Sequence, residues 1–109
     1  MYSDEELDEL YYRKKSKIHG YGLYARKKIS KGDYMGEYDG PTVKKNGMHV
    51  LWVEDEDDKW VGRNGKNLLR YLNHSKKPHA EFIGFELFAT RNIKPDEEIT
   101  IDYGDEFDA

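Results

Sequence analysis

Arg70-Tyr-Leu-Asn-His-Ser75 is the stretch on which the reading of this chain turns. Asn67-Leu-Leu-Arg-Tyr-Leu72 has helical apolar spacing but is too short to stand as a helix alone. Asn73-His-Ser75 follows it directly and Pro78 closes the segment. Asn and His at a helix exit tie down loop backbone, or hold a polar ligand against the helix end. The partner stretch is Glu98-Ile-Thr-Ile-Asp-Tyr-Gly104, an apolar alternation that reads as the last strand. Tyr103 reads there as packing. Asp102 beside it could serve as a base, but successive strand residues point to opposite faces, so the pair would not act on one atom. The third piece is Lys17-Ile-His-Gly-Tyr-Gly22. Its glycines permit a tight turn or let backbone approach a ligand. No long helix follows, so it is not a dinucleotide fingerprint.

Working outward, 109 residues suffice for one domain. With 37% hydrophobic and 37% charged residues the core is small. Nine tyrosines suit half-buried strand positions, or a lined channel that needs an apolar wall with polar tips. There is no cysteine, hence no disulfide framework and no thiolate zinc site. His19, His49, His74 and His79 lack metal-ligand spacing, so no metal is expected. No apolar run could span a bilayer and no signal-peptide pattern follows Met1, so the expectation is a soluble intracellular protein without membrane association. The net charge of −4 is uneven: residues 1–50 carry +2 and residues 51–109 carry −6, with a run at Glu54-Asp-Glu-Asp-Asp58. That balance disfavours nucleic acid. It would steer a basic peptide, or simply keep the protein in solution.

Along the chain, residues 3–12 read as a short helix capped by Ser3 with Glu6 three residues on, or as a frayed terminus. Strands are expected around Tyr21–Ala25, Tyr34–Gly40, Met48–Val53, Trp60-Val61, Glu81–Phe85, Glu86–Thr90 and Glu98–Tyr103, with a turn at Arg63–Lys66. The fold class is therefore mainly β, of short strands with one or two scraps of helix and no doubly wound parallel sheet. Ile29-Ser-Lys-Gly-Asp33 and Ile93-Lys-Pro-Asp-Glu97 are similar phrases, read as shared turn chemistry and not as duplication.

Taken in order, Gly20-Tyr-Gly-Leu-Tyr-Ala25, Ile29–Asp33, Glu37-Tyr-Asp-Gly40, Arg70–Ser75 with Pro78, and Asp96–Gly104 resemble a SET domain, the fold of protein lysine methyltransferases, in its minimal stand-alone form known from viruses and bacteria. The resemblance covers about residues 11–106, with residues 1–10 a lead-in and 11–109 a single domain without cysteine-rich flanking modules. It implies short curved sheets, with the C-terminal segment tucked under a loop in a knot-like crossing. It implies S-adenosylmethionine as methyl donor and lysine in a basic protein tail, of a histone or similar protein, as acceptor. At the matching positions, His19, Gly20, Tyr21, Gly22, Arg70, Tyr71, Asn73 and His74 would hold the donor, and Tyr103 would be the catalytic tyrosine. Tyr38, Phe82, Ile101 and Tyr103 would line the lysine channel.

Some positions depart from the pattern. His79 stands where the family has Asn, which weakens the expectation of a backbone-bracing role there, and Lys76 stands where it has Cys. Phe82 and Ile101 both lack a hydroxyl, which leaves room for di- or trimethylation. The sequence ends five residues past Gly104, where the family continues a segment that closes the donor pocket. Phe107 or a homodimer partner would supply the closure, or the substrate would complete it. The location would be cytoplasmic, or nuclear and host chromatin where the source has or infects a eukaryote. The alternative is a SET-fold module that binds a basic peptide without catalysis.

Overall fold

A computed structural model describes residues 1–104; Phe107 lies outside them. Helix α1 spans Asp4–Leu10. The Ser3 hydroxyl accepts the Glu6 amide at 3.2 Å, and the Glu6 carboxylate accepts the Ser3 amide at 3.1 Å, so the predicted box satisfies two otherwise orphaned donors. The helix is shorter than expected: Tyr11 is already extended and begins β1, Tyr11–Lys15. Leu7 is 1% exposed, so α1 packs into the core and is no frayed end.

Among the described residues, ten strands follow the helix. After β1 come β2 (Tyr21–Ala25), β3 (Tyr34–Glu37), β4 (Thr42–Val43), β5 (Val50–Glu54) and β6 (Trp60–Asn64). A 3-10 helix, Leu68–Tyr71, precedes β7 (Asn73–His74), β8 (Ala80–Ile83), β9 (Glu86–Ala89) and β10 (Glu98–Ile101). The larger sheet runs β1-β2-β10-β8-β9-β3, with β7 also on β10; the smaller runs β4-β6-β5. The mainly β expectation is met.

Several local expectations are corrected. The turn placed at Arg63–Lys66 begins later, because β6 continues to Asn64 in register with Val50. The apolar spacing of 67–72 forms a 3-10 turn capped by Asn67, whose side chain accepts the Leu69 amide at 3.3 Å. β1, β4 and β7 were not expected. Each is charged or only two residues long, and tertiary pairing, not local pattern, makes it a strand.

β10 is last in sequence and central in space. It is antiparallel to β2 through Ile99↔Leu23 and parallel to β7 and β8 through Ile101↔His74 and Ile101↔Ala80. That is the place a C-terminal segment tucked beneath a preceding loop would take. It joins the three distant motifs: β2 brings the glycine loop, β7 brings Asn73-His74, and β10 leads into Tyr103. The two similar phrases also meet, since Ile29 and Ile93 exchange both backbone bonds at 2.9 and 2.8 Å. Beneath lies one apolar core including Leu23, Met35, Leu69, Leu87, Ile93, Ile99 and Ile101. Tyr11, 1% exposed, is admitted to it because its hydroxyl donates to the Met35 carbonyl at 2.7 Å.

Candidate active site

The hairpin β1–β2 closes through residues 16–20. The Ser16 amide donates to the Gly20 carbonyl at 2.7 Å, and Gly20 sits at φ +46°, a conformation that favours glycine. This loop faces β7. The Asn73 amide nitrogen donates to the His19 carbonyl at 3.1 Å, to the Tyr21 carbonyl at 3.1 Å and to the Glu98 carboxylate at 2.9 Å. Glu98 in turn accepts the Ser16 hydroxyl at 2.8 Å and the Tyr24 hydroxyl at 3.3 Å. A β-carbon at Gly22 would run into the Glu98 carboxylate. The loop, β7 and β10 are thus joined by one polar network around Asn73, which is 7% exposed.

That network shapes one wall of a cleft of about 780 Å³. His19, Gly20, Tyr21, Arg70, Tyr71, Asn73, His74 and Tyr103 all line it. Of the donor residues expected from sequence, Gly22 alone is absent from the lining; it lies beneath the wall, where its missing side chain admits Glu98. The lining also takes in the loop between β4 and β5: Asn46, Gly47, Met48 and His49. The sequence places Met48 and His49 in an expected strand and weighs His49 as a metal ligand, but assigns none of the four to a ligand site. Their one local signal was the Asn46-Gly47 turn before a strand, which says nothing about what the turn faces.

Three features of the cleft fit a ligand with a charged end and a flat apolar end. Arg70 Nε is buried without a hydrogen-bond partner, an unmet demand that a carboxylate would satisfy. The rim carries exposed apolar side chains, Ile18, Tyr21 and Met48, the last 83% exposed. The Tyr21 and Tyr71 rings meet edge-on at 6.3 Å to make an aromatic side.

Tyr103 stands where the cleft meets the core. Its hydroxyl donates to the Leu72 carbonyl at 2.8 Å, and its amide donates to His74 Nδ1 at 2.9 Å. Asp102 approaches the same nitrogen at 3.6 Å. Burial raises the Tyr103 phenol above its ordinary value, so it stays neutral. Tyr38 is 1% exposed, and its hydroxyl donates to the His49 carbonyl at 2.6 Å. Its phenol is raised chiefly by burial, with Arg70 lowering and Tyr103 raising it, which sets the three in one neighbourhood. Phe82 meets the Tyr38 ring edge-on at 5.5 Å. Ile101 is 2% exposed, on β10 beside His74 and Ala80.

His79 does brace backbone, contrary to the doubt that its replacement of Asn raised. Its Nδ1 accepts the Thr100 amide at 3.2 Å and lies 2.9 Å from the Thr100 hydroxyl, so it clips β10 in place. Among the described residues, no group of three His, Asp or Glu side chains is arranged to hold a metal ion. No helix among them is long and apolar enough to cross a membrane.

The family model described as SET domain matches residues 20–104. Among curated relatives, an H3 lysine-4-specific histone-lysine N-methyltransferase of Aspergillus oryzae is 31% identical, over 82% of this chain and 9% of that protein. An H3 lysine-36-specific histone-lysine N-methyltransferase of Debaryomyces hansenii is 28% identical, over 81% of this chain and 15% of that protein. The chain thus spans well under a fifth of their length. Among solved structures, Polycomb Repressive Complex 2 of Chaetomium thermophilum, autoinhibited and bound to S-adenosylmethionine, superposes with a TM-score of 0.75 at 24% identity, over 92% of this chain and 16% of that one. With the family model matched across most of the sequence and the glycine loop, Asn73-His74 and Tyr103 gathered at one cleft, the chain belongs to the SET-domain family.

Proposed function

We propose that this domain transfers a methyl group from S-adenosylmethionine to the side-chain amine of lysine in a basic protein tail of the histone kind. The observation that carries this reading is the meeting of cleft and aromatic core at Tyr103. One side is a ligand-sized cleft lined by Tyr103 and holding an orphaned Arg70 nitrogen; on the other, Tyr38 and Phe82 pack edge-on in the core. The names of the relatives support the acceptor class, and the S-adenosylmethionine bound to the structural neighbour supports the donor. Two relatives named for different lysines leave the target lysine to experiment.

Arg70 would pair with the donor's carboxylate, the backbone of His19–Tyr21 and of Asn73-His74 would hold its polar edges, and Tyr21 and Tyr71 would cover its flat face. When bound, S-adenosylmethionine supplies an electrophilic methyl group. The chain's own part is to present a neutral amine to it. Free lysine has a pKa of about 10.4. Enclosure by Tyr38, Phe82 and Tyr103 disfavours the ammonium, and a neighbouring cation disfavours it further. The single phenolic proton of Tyr103 is committed to the Leu72 carbonyl, so toward an amine its oxygen acts as acceptor and fixes the direction of the nitrogen. No general base is then needed, and water takes the proton. The aromatic walls tolerate a methylated ammonium through their π faces, and Phe82 and Ile101 leave room for a second and third methyl group.

The acidic tip at Glu54–Asp58, exposed on the β5–β6 hairpin, favours a cationic tail and disfavours nucleic acid. The exposed rim of Ile18, Tyr21 and Met48 favours a homodimer in which the second copy closes the cleft. A histone-type substrate would place the protein at chromatin. Titration calorimetry with S-adenosylmethionine, followed by methyl transfer to a panel of basic peptides, tests the reading. Binding with lysine methylation supports it, and no heat with no transfer refutes it.

A further inference from the structure

We propose that Arg13, a β1 residue outside the cleft, is a positioning residue that clamps the aromatic side of the donor site and sets donor affinity. The inference rests on the reading of that cleft as a donor site. Arg13 pairs with Leu23 across the β1–β2 ladder and makes no ion pair among the described residues. Its guanidinium instead lies 5.2 Å from the centroid of the Tyr21 ring and 5.4 Å from that of Tyr71, and its Nη1 donates to the Tyr71 hydroxyl at 2.9 Å. One planar cation therefore touches both rings of the wall from behind.

Tyr21 has little else to fix its ring, whereas Tyr71 is partly buried against the core and has Arg13 on its hydroxyl. Tyr21 is 55% exposed and sits at the end of the glycine loop; its ring meets only Tyr71 and Arg13 among the described ring contacts. Tyr71 ends the 3-10 helix with Arg70 over its ring at 5.6 Å, and its hydroxyl is held by Arg13. Without the clamp, Tyr21 is free to turn about its two side-chain torsions and Tyr71 loses its anchor. A ligand would then have to order both rings as it binds, and that ordering weakens affinity without altering the reacting centre. The planarity of the guanidinium matters more than its charge. It stacks on two rings while donating sideways, which an ammonium on a flexible stem cannot reproduce.

The test uses the whole chain as wild type, Arg13→Lys and Arg13→Met, with S-adenosylmethionine affinity by calorimetry, kcat and KM on a basic peptide, and thermal melting. Two exposed cation–π contacts and a hydrogen bond correspond to a loss of about tenfold in affinity. The expected result is that Kd and donor KM rise by about that factor in both variants, while kcat stays within about twofold and melting shifts little, as is usual for an exposed side chain. A purely structural role would move melting and kcat together. Affinities within about twofold of wild type in both variants would overturn the proposal, as would full recovery by lysine, which would make the effect one of charge alone. Ligand-free NMR reads the clamp independently of catalysis. Nuclear Overhauser contacts from the Arg13 guanidinium to both rings are expected, with faster ring motion in the variants, and their absence in wild type overturns the clamp. A wild-type protein that shows those contacts but binds no donor would refute the methyltransferase reading and, with it, the role in affinity.

Discussion

Replacing Asn73 with aspartate exchanges one amide nitrogen for oxygen and reverses the polarity of the network that shapes the cleft. The wild-type nitrogen shares its two hydrogens among the His19 carbonyl at 3.1 Å, the Tyr21 carbonyl at 3.1 Å and the Glu98 carboxylate at 2.9 Å. In Asn73→Asp all three contacts become oxygen against oxygen, at a site only 7% exposed. Two carboxylates with charge centres about 4 Å apart repel by about 4 kcal/mol at an effective dielectric of about 20. The lost hydrogen bonds add about 1–3 kcal/mol. Against a total stability of about 5–15 kcal/mol, Asn73→Asp is expected to cost at least about 3 kcal/mol at pH 7.5. Asn73→Ala removes the donor without adding charge and is expected to cost about 1–3 kcal/mol. The two differ in pH dependence. Repulsion raises the pKa of the introduced carboxyl in the folded state above its unfolded value of about 3.9. The penalty is therefore complete above the raised pKa and relieved as pH falls through it. Urea unfolding of both variants at pH 7.5 and 5.0, each referred to wild type at the same pH, should show Asn73→Asp recovering in acid and Asn73→Ala unchanged. Equal, pH-independent losses in both would refute the network.

Other expectations follow from the same geometry. Gly22→Ala drives a methyl group into the Glu98 carboxylate and should cost about 1–3 kcal/mol in urea unfolding while weakening donor binding by calorimetry. His79 has its pKa lowered chiefly by burial and then by Arg91, with Glu97 and Glu98 pulling the other way. The unfolded state then binds more protons, so wild-type stability should fall as pH drops below about 6.5 through the depressed folded value, and His79→Asn should flatten that slope. Tyr38→Phe removes the bond to the His49 carbonyl, which still accepts the Gly65 amide at 2.9 Å. It should cost about 1 kcal/mol and speed hydrogen exchange at Gly65, which bonds to His49, and at Val50, next to it in the chain.

The larger pattern was legible where side chains announce their own role. Ser3 and Glu6 cap α1 as their spacing demands, and Asn73-His74 and Tyr103 stand at the cleft where the order of the motifs placed them. What stayed hidden depends on partners far along the chain. Asn73-His74 looked like a helix exit because two residues carry no strand pattern; pairing with Thr100 and Ile101 makes them β7. Gly22 looked like a ligand-facing glycine because its neighbour Glu98 is 76 positions away in sequence. The wall formed by Asn46–His49 had no motif at all, since its place is fixed by the Tyr38 hydroxyl holding the His49 carbonyl. His79 showed the reverse error: an unfamiliar residue type keeps a bracing role by using a ring nitrogen to take the Thr100 amide.

The central claim is that Tyr103 directs a lysine amine toward a methyl donor. Tyr103→Phe removes only the hydroxyl, which is half-buried and donates to the Leu72 carbonyl. Intact-mass spectrometry of histones and basic peptides incubated with S-adenosylmethionine and either protein tests this most directly, with donor Kd and melting measured alongside. The account predicts lysine-borne additions of one to three methyl groups with wild type. With Tyr103→Phe it predicts a rate at least about a hundredfold lower, on the scale of removing one oriented polar group from an active site, while the variant stays folded and still binds donor. Methylation unchanged by loss of the hydroxyl would contradict the role of Tyr103, and no methylation by a folded wild type on any lysine would contradict the enzyme itself.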